Sequence, residues 1–208
     1  MIGYYNYTVV LTYIGAVFGF TGITYACNGD LRMALICLIV AGFCDMFDGK
    51  IASTMKRTDQ EKRFGIQIDS LSDLVCFGVL PALIVYKTTN KEPAFFAISI
   101  AYLLCALVRL AWFNVDEEER QSKEQGSRAI YLGLPVTTTA LILPIITGLI
   151  YWVTPFPAGK ILPWVLLFIA VAFITPFKIR KPGLIGKIIM LLLGIGSLVT
   201  VLLGVPMV

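Results

Sequence analysis

The chain has 208 residues, of which 58% are hydrophobic and only 14% are charged, and it contains no histidine. A soluble domain usually carries about 25% charged residues, so the composition excludes an ordinary soluble protein and points to lipid as the solvent. Without histidine, the commonest general base and a frequent zinc ligand are missing. Acid–base or metal chemistry must therefore rest on carboxylates.

Seven apolar stretches have lengths close to the roughly 20 residues that a helix needs to cross a bilayer. We predict one domain, residues 1–208, with an all-α polytopic membrane bundle. The predicted spans cover residues 8–27, 32–55, 64–87, 93–112, 130–152, 160–177 and 184–206. Because the first cation is Arg32, no basic region precedes the first stretch, and we expect it to be a retained span. We expect the charged run from Asp116 to Arg120 to form a solvated loop.

The positions of the cations predict the orientation. If the N-terminus is cytoplasmic, eleven Lys and Arg residues fall in cytoplasmic loops and four fall at outer ends. The cytoplasmic set is Lys56, Arg57, Lys62, Arg63, Arg120, Lys123, Arg128, Lys178, Arg180, Lys181 and Lys187, and the outer set is Arg32, Lys87, Lys91 and Lys160. The positive-inside rule favours this arrangement, and we predict a multi-pass protein of the cell membrane.

Two adjacent spans each carry a pair of aspartates. Asp45 and Asp48 are three residues apart, and Asp69 and Asp73 are four apart, so each pair shares one helical face. The two spans run in opposite directions, which brings both pairs to a similar depth on the cytoplasmic side. Asp69 is then about five residues into its helix, or roughly 7–8 Å.

Four converging carboxylates repel one another and are costly in a membrane. Hard divalent cations prefer oxygen ligands, and two such ions form a clamp for phosphoryl chemistry. The alternative is a proton or sodium pathway in a transporter. Small residues flank the acids, with Gly49 and Ala52 after Asp48 and Gly65 before Asp69. They either leave space for a phosphate-bearing ligand or allow close helix packing.

Together, these positions carry a family resemblance. The pattern Asp45-x-x-Asp48-Gly49-x-x-Ala52 followed by Gly65-x-x-x-Asp69-x-x-x-Asp73 resembles the signature of the CDP-alcohol phosphotransferase family. Within that family, the run from Phe64 to Asp73, continuing through Phe77-Gly78 to Pro81-Ala82, resembles the branch that uses serine as acceptor. Segments Arg109-Leu110-Ala111-x-Phe113-Asn114 and Gly133-Leu134-Pro135 resemble the same branch.

The resemblance implies a six-helix catalytic core with about one further C-terminal span. It also implies a reaction in which the phosphatidyl group of CDP-diacylglycerol passes to the hydroxyl of L-serine, giving phosphatidylserine and CMP. The four aspartates would hold two Mg²⁺ or Mn²⁺ ions, and Asp73 would also act as general base. The partners implied are membrane lipids and a second copy in a homodimer, with no nucleic acid.

The substrate contacts are predicted in the same way. The CDP-lipid set is Asp48, Gly49, Ala52, Ser53, Gly65, Lys56 and Arg57, and the serine set is Arg109 and Ser72. The guanidinium of Arg109 suits a bidentate grip on a carboxylate or phosphate, although a membrane arginine also snorkels to headgroups. Alternatives are the same chemistry with a glycerol phosphate or inositol acceptor, or an aspartate-based ion transporter.

The chain departs from the family pattern at one position. The family usually has an arginine directly after the alanine, where this chain has Ser53. The number of residues between Ser53 and Gly65 is also larger than the commonest spacing in the family. The basic residues available to take over phosphate contact are Lys50, Lys56 and Arg57.

Overall fold

The computed structural model describes residues 3–89, 92–123, 130–153, 157–180 and 183–206. Its helices are α1 (Val10–Asn28), α2 (Leu31–Ala52), α3 (Asp59–Asp73), α4 (Leu80–Thr88), α5 (Pro93–Lys123), α6 (Thr139–Val153), α7 (Ala158–Ile174) and α8 (Leu184–Gly204). A π-helical segment, Leu74–Val79, joins α3 to α4. Three cations used to predict the orientation, Lys91, Arg128 and Lys181, lie outside the described residues.

The outer surface of the bundle is apolar. Large side chains such as Phe168 and Leu203 are 75% and 72% exposed, and an apolar surface of this extent is unstable in water but stable in lipid. Within the described residues, four helices are long and apolar enough to cross a membrane: Tyr7–Asn28, Asp59–Thr88, Pro93–Arg120 and Val136–Val153. The predicted all-α polytopic membrane bundle is confirmed.

Helix α2 is also long, with 22 residues, yet hydropathy alone does not identify it as a span. The reason is its charge, because Arg32 lies near its start and Asp45, Asp48 and Lys50 lie in its second half. Its other side chains are those of an interior helix, since Ala34, Leu35 and Leu38 are completely buried. The charges of α2 therefore belong to a central helix of the bundle.

Helix α1 packs closely against the long helix formed by α3 and α4, and glycines make this possible. A Cβ atom on Gly19 would lie 2.6 Å from the Sγ of Cys76, and one on Gly22 would lie 2.8 Å from a methyl group of Leu80. Small residues at helix contacts let backbones approach in membranes. This packing fixes α1 as one wall beside the aspartates.

Helix α3 begins five residues earlier than the predicted span, at Asp59. Thr58 and Glu61 form a capping box, in which the Thr58 backbone N–H donates to Glu61 Oε2 at 2.8 Å and the Glu61 N–H donates to Thr58 Oγ1 at 3.3 Å. Such a box satisfies two free donors at a helix start. Asp69 is consequently ten residues into the helix, about 15 Å from its start, rather than five.

Two other expectations were wrong. The fifth span does not start as a helix at residue 130, because Ile130–Leu132 is strand β1 and α6 starts only at Thr139. Gly133 has a positive φ of 74°, which breaks a helix, and Pro135 follows it. Strand β1 pairs antiparallel with strand β2 (Lys178–Arg180) in the register Ile130↔Arg180 and Leu132↔Lys178.

The charged run from Asp116 to Arg120 is helical and continues α5 to Lys123. Arg120 Nη2 lies 2.5 Å from Glu117 Oε1, in an i,i+3 pair whose side chains are 16% and 14% exposed. Pairs at this spacing support a helix, which explains why no loop forms. With 31 residues, α5 is about 46 Å long and extends well beyond a hydrocarbon core of about 30 Å.

Candidate active site

The aspartates of α2 and α3 line one cavity. Carboxylate oxygens of Asp45, Asp48 and Asp69 all lie within 4.8 Å of one another. Asp73 lines the same cavity one turn further along α3, but it does not belong to this group of three. The predicted meeting of two opposed helices is present in the structure, with three carboxylates in a tight group and the fourth beside it.

The donor set fits a hard divalent cation. Each of the three residues offers a carboxylate oxygen, and oxygen ligands of this kind suit Mg²⁺, Mn²⁺ or Ca²⁺. Asp48 is almost fully buried at 9% exposure, where an isolated charge is costly. The cluster can therefore hold a metal ion whose charge offsets the repulsion among the acids.

Helix α1 contributes a residue that the sequence analysis did not identify. Thr12 Oγ1 donates to Asp48 Oδ2 at 3.4 Å, and Ser72 Oγ donates to the Thr12 carbonyl at 3.3 Å. Thr12 thus connects α1 to both acidic helices. A single threonine in an apolar span carries no sequence signal, because the residue types of α1 do not reveal which helix it faces.

The small residues beside the acids have two different surroundings. A Cβ on Gly49 would meet nothing within 4 Å, whereas one on Gly65 would lie 3.0 Å from Nη1 of Arg57. Space is therefore open beside Asp48, and the Arg57 guanidinium lies across Gly65. Among the predicted CDP-lipid contacts, Arg57 is thus in contact with the acidic helix.

The other predicted lipid contacts cluster at the end of α2. Ala52 is the last residue of that helix, and the hydroxyl of Ser53 donates to the Lys50 carbonyl at 2.7 Å. Ser53 therefore caps its own helix. Lys50 and Lys56 are exposed on the same side of the molecule as the connection to α3.

The two predicted serine contacts are in different places. Ser72 lines the acidic cavity. Arg109 is buried at 5% exposure, its Nε donates to the Leu134 carbonyl at 3.2 Å, and its guanidinium carbon lies 5.4 Å from the ring centre of Trp112. Arg109 is not among the residues that line the cavity, and the structure does not bring it together with Ser72.

Helix α3 is tethered on both sides of its acidic face. Ser72 bonds to α1 on one side, as described above. On the other side, Ser70 Oγ donates to Asn114 Oδ1 of α5 at 2.8 Å. Further from the cavity, Arg63 and Glu118 form an exposed ion pair at 3.2 Å between the same two helices. These contacts hold α3 between its neighbours.

The N-terminal segment, residues 3–9, lies over the connection between α2 and α3. The Tyr4 hydroxyl donates to Gln60 Oε1 at 2.7 Å, and the Tyr7 hydroxyl lies 3.0 Å from Thr54 Oγ1. The Tyr4 ring also meets Phe64 edge-on, with 5.6 Å between ring centres. This segment therefore covers the loop that carries the basic residues.

A model of the CDP-alcohol phosphatidyltransferase family matches residues 5–176. The matched range contains all four aspartates, the flanking glycines and Arg109. This match confirms the resemblance drawn from the aspartate motif.

The names of curated relatives agree with this family match. A CDP-diacylglycerol–serine O-phosphatidyltransferase of Mycobacterium tuberculosis is 29% identical over 132 residues, which are 63% of this chain and 45% of the relative. An archaetidylserine synthase of Methanothermobacter thermautotrophicus is 30% identical over 135 residues, 64% of this chain and 54% of the relative. A CDP-diacylglycerol–serine O-phosphatidyltransferase of Saccharomyces cerevisiae is 35% identical over 117 residues, 55% of this chain and 40% of the relative. The chain thus matches about half the length of these relatives.

Proposed function

Since the chain belongs to the CDP-alcohol phosphatidyltransferase family, we propose that it transfers the phosphatidyl group of CDP-diacylglycerol to the hydroxyl of L-serine, giving phosphatidylserine and CMP. The observation that carries this proposal is the group of three carboxylates within 4.8 Å, inside the matched range. The names of the relatives support serine as the acceptor.

Asp45, Asp48, Asp69 and Asp73 would together hold two divalent ions, Mg²⁺ or Mn²⁺. When bound, such ions neutralise charge on a diphosphate and on the departing nucleotide. The protein contributes two contacts between α1 and the acidic helices, from Thr12 to Asp48 at 3.4 Å and from Ser72 to the Thr12 carbonyl at 3.3 Å. The acids are therefore positioned before substrate arrives, which lowers the reorganisation needed during reaction.

Asp73 is the proposed general base. It lines the cavity but stands outside the group of three, which favours a role other than ligation alone. In the reaction, the serine oxygen attacks the lipid-side phosphorus and a new P–O bond forms. The bond from that phosphorus to the oxygen of CMP breaks, CMP leaves as an anion, and Asp73 takes the proton of the serine hydroxyl.

The CDP-lipid would lie beside Gly49, Ala52 and Gly65, and of the two glycines Gly49 has open space around it. Arg57 is the residue we propose in place of the family arginine, because its guanidinium contacts the backbone position of Gly65. Ser53 and Lys56 would border the same site. The arrangement requires the basic connection between α2 and α3 to face the cytoplasmic side of the cell membrane, in agreement with the positive-inside distribution.

Of the two predicted serine contacts, Ser72 lines the cavity, and Arg109 stays a prediction of the family resemblance because it lies outside the cavity lining. The contact between Arg109 and the Leu134 carbonyl orients the guanidinium, a group that suits a carboxylate. Replacing Arg109 by alanine should raise the KM for serine. If the kinetic constants for serine and for the lipid do not change, Arg109 is not part of the site. We also propose that the protein is a homodimer.

The proposal is tested by measuring CMP formation from CDP-diacylglycerol and serine, with and without Mg²⁺ or Mn²⁺. We expect metal-dependent CMP release by the wild type and a loss of at least about 100-fold for Asp73→Asn, since a positioned base contributes about 10²–10⁴-fold. Asp59→Asn is the matched control, because Asp59 is on the same helix but exposed and paired with Lys62.

The acceptor is tested in the same assay. Glycerol 3-phosphate and inositol phosphate replace serine in parallel reactions, and faster CMP release with either would assign the chain to another branch. The transporter hypothesis would be favoured over the enzyme if no acceptor gives CMP and if vesicles show a sodium or proton flux that depends on Asp45.

A further inference from the structure

The helix that carries Asp69 and Asp73 is poorly anchored by its own packing. No residue of α3, all of which is described, is fully buried. In contrast, α4 continues the same helix and is buried in the apolar core, with Leu80 at 0% and Ile84 at 1% exposure. The direction in which the acids point therefore depends on how α3 is joined to α4, in addition to the side-chain contacts of Ser70 and Ser72.

The joint is the π-helical segment Leu74–Val79, which begins directly after Asp73. At its end the Leu80 N–H donates to the Val75 carbonyl, five residues earlier, instead of four as in an α-helix. Such wide turns are uncommon and are frequently found at functional sites.

The wide turn changes the rotational phase of the helix. Leu80 follows Asp69, and Ile84 follows Asp73, by eleven residues. In an unbroken α-helix at about 100° per residue, each pair would point within about 20° of the same direction. One extra residue shifts that phase by up to about 100°. Collapse of the wide turn into α-helix would therefore rotate the acids relative to the anchored α4.

Tyr102 holds this turn from α5. Its hydroxyl lies 2.5 Å from the Phe77 carbonyl, in the middle of the π-helical segment, and 3.0 Å from Thr139 Oγ1 at the start of α6. A carbonyl only accepts, so the phenolic proton goes to Phe77 and the Thr139 hydroxyl donates to the phenol oxygen. The Tyr102 side chain is completely buried, and its ring packs on Phe173 at 5.4 Å between centres.

We propose that Tyr102, oriented by Thr139, is a positioning residue for the reaction. Its hydroxyl stabilises the wide turn and thereby keeps Asp69 and Asp73 directed into the cavity. Tyr102 is not among the residues lining that cavity, so its effect passes through the backbone of the Phe77 turn. The consequence for catalysis rests on the proposed function, whereas the consequence for metal binding does not.

The test uses the full-length protein in nanodiscs with Mn²⁺ as the probe, followed by electron paramagnetic resonance without lipid substrate. Tyr102→Phe keeps the ring and removes the hydroxyl. We expect the Mn²⁺ dissociation constant to rise about 10-fold and kcat for CMP release to fall about 10-fold, as for residues that orient ligands from behind. The KM for serine should stay within about twofold, because no contact with the acceptor is lost.

Substitutions of Thr139 keep the test decisive if the Tyr102→Phe variant does not fold. Thr139→Val should shift Mn²⁺ binding and kcat in the same direction, and Thr139→Ser should behave as wild type because it keeps the hydroxyl. The double variant Tyr102→Phe/Thr139→Val should be no worse than Tyr102→Phe alone, since the two hydroxyls act as one chain.

Two controls separate positioning from general loss of stability. Tyr86→Phe removes a phenolic hydroxyl from α4 and keeps the ring that packs on Phe96. Ser99→Ala removes a hydroxyl that donates to the Phe95 carbonyl within α5 at 3.1 Å. Both should leave Mn²⁺ binding unchanged. A Tyr102→Phe protein that melts earlier but binds Mn²⁺ with wild-type affinity would overturn the proposal. A wild-type protein that binds Mn²⁺ but makes no CMP would refute the proposed function and would leave the positioning role of Tyr102 to be judged by Mn²⁺ binding.

Discussion

Replacing Gly133 by alanine tests how the turn between β1 and α6 is built. Gly133 has φ +74°, and a Cβ there would lie 3.0 Å from the Phe173 carbonyl oxygen and 3.1 Å from that of Thr175. Gly29 is the matched position, since its φ is +89° but a Cβ would meet nothing within 4 Å. The pair thus shares the backbone strain and differs in the contact with backbone oxygens.

The expected magnitudes follow from these surroundings. A left-handed conformation costs an alanine about 1–2 kcal/mol, and this is the whole penalty for Gly29→Ala. Gly133→Ala adds overpacking against fixed carbonyls, about 1–3 kcal/mol, for a total of about 2–5 kcal/mol. At about 2–4 °C per kcal/mol for a chain of this size, its thermal midpoint should fall about 1.5 to 4 times as far as that of Gly29→Ala.

The measurement is thermal unfolding of both variants in the same detergent, followed by intrinsic fluorescence and by the monodisperse fraction after heating. Activity gives a second readout, because Gly133 precedes Leu134, whose carbonyl accepts from Arg109. Gly133→Ala should raise the serine KM, and Gly29→Ala should not. Equal midpoints for the two variants would refute the argument that carbonyl contact at Gly133 matters.

Three further substitutions test local contacts. Thr58→Ala removes the capping box of α3 and should cost about 1 kcal/mol in thermal unfolding, whereas Thr58→Ser, which keeps the capping hydroxyl, should cost less than half of that. Ser70→Ala and Asn114→Ala each break the 2.8 Å bond between α3 and α5, and a double-mutant cycle on kcat/KM should show a coupling of about 1 kcal/mol; additive effects would contradict it. Arg57→Gln should raise the KM for CDP-diacylglycerol by about 10-fold or more, the loss of a charge-assisted contact, without changing the serine KM.

Much of the fold was predictable because the bilayer imposes a simple length rule. Helices occupy the predicted apolar stretches, and most ends agree within a few residues, as for α1 and α8. The errors occur where polar residues continue or interrupt a helix. The acidic end of α5 was predicted as a loop because its charges looked solvated, although the pair Arg120–Glu117 stabilises a helix.

The acidic pairs were predictable for a different reason. Spacings of three and four fix a common face within one helix, and opposite chain directions fix a common depth for two neighbouring helices. Neither rule requires knowledge of the packing between helices. The group formed by Asp45, Asp48 and Asp69 follows from these two rules.

What surrounds the acids depends on packing, and for that reason sequence periodicity did not reveal it. A π-helical turn has no composition signal in Leu74–Val79, yet it changes the phase of every residue beyond it. In an unbroken α-helix, the periodic rule that placed Asp69 and Asp73 together would also place Leu80 within about 20° of Asp69. The same long helix presents carboxylates to the cavity and leucine to the core, since Asp69 and Asp73 line the cavity and Leu80 is completely buried. Tyr102, which bonds to the Phe77 carbonyl in this turn, and Thr139, which bonds to Tyr102, come from helices far away in the chain. No local pattern connects them to the aspartates.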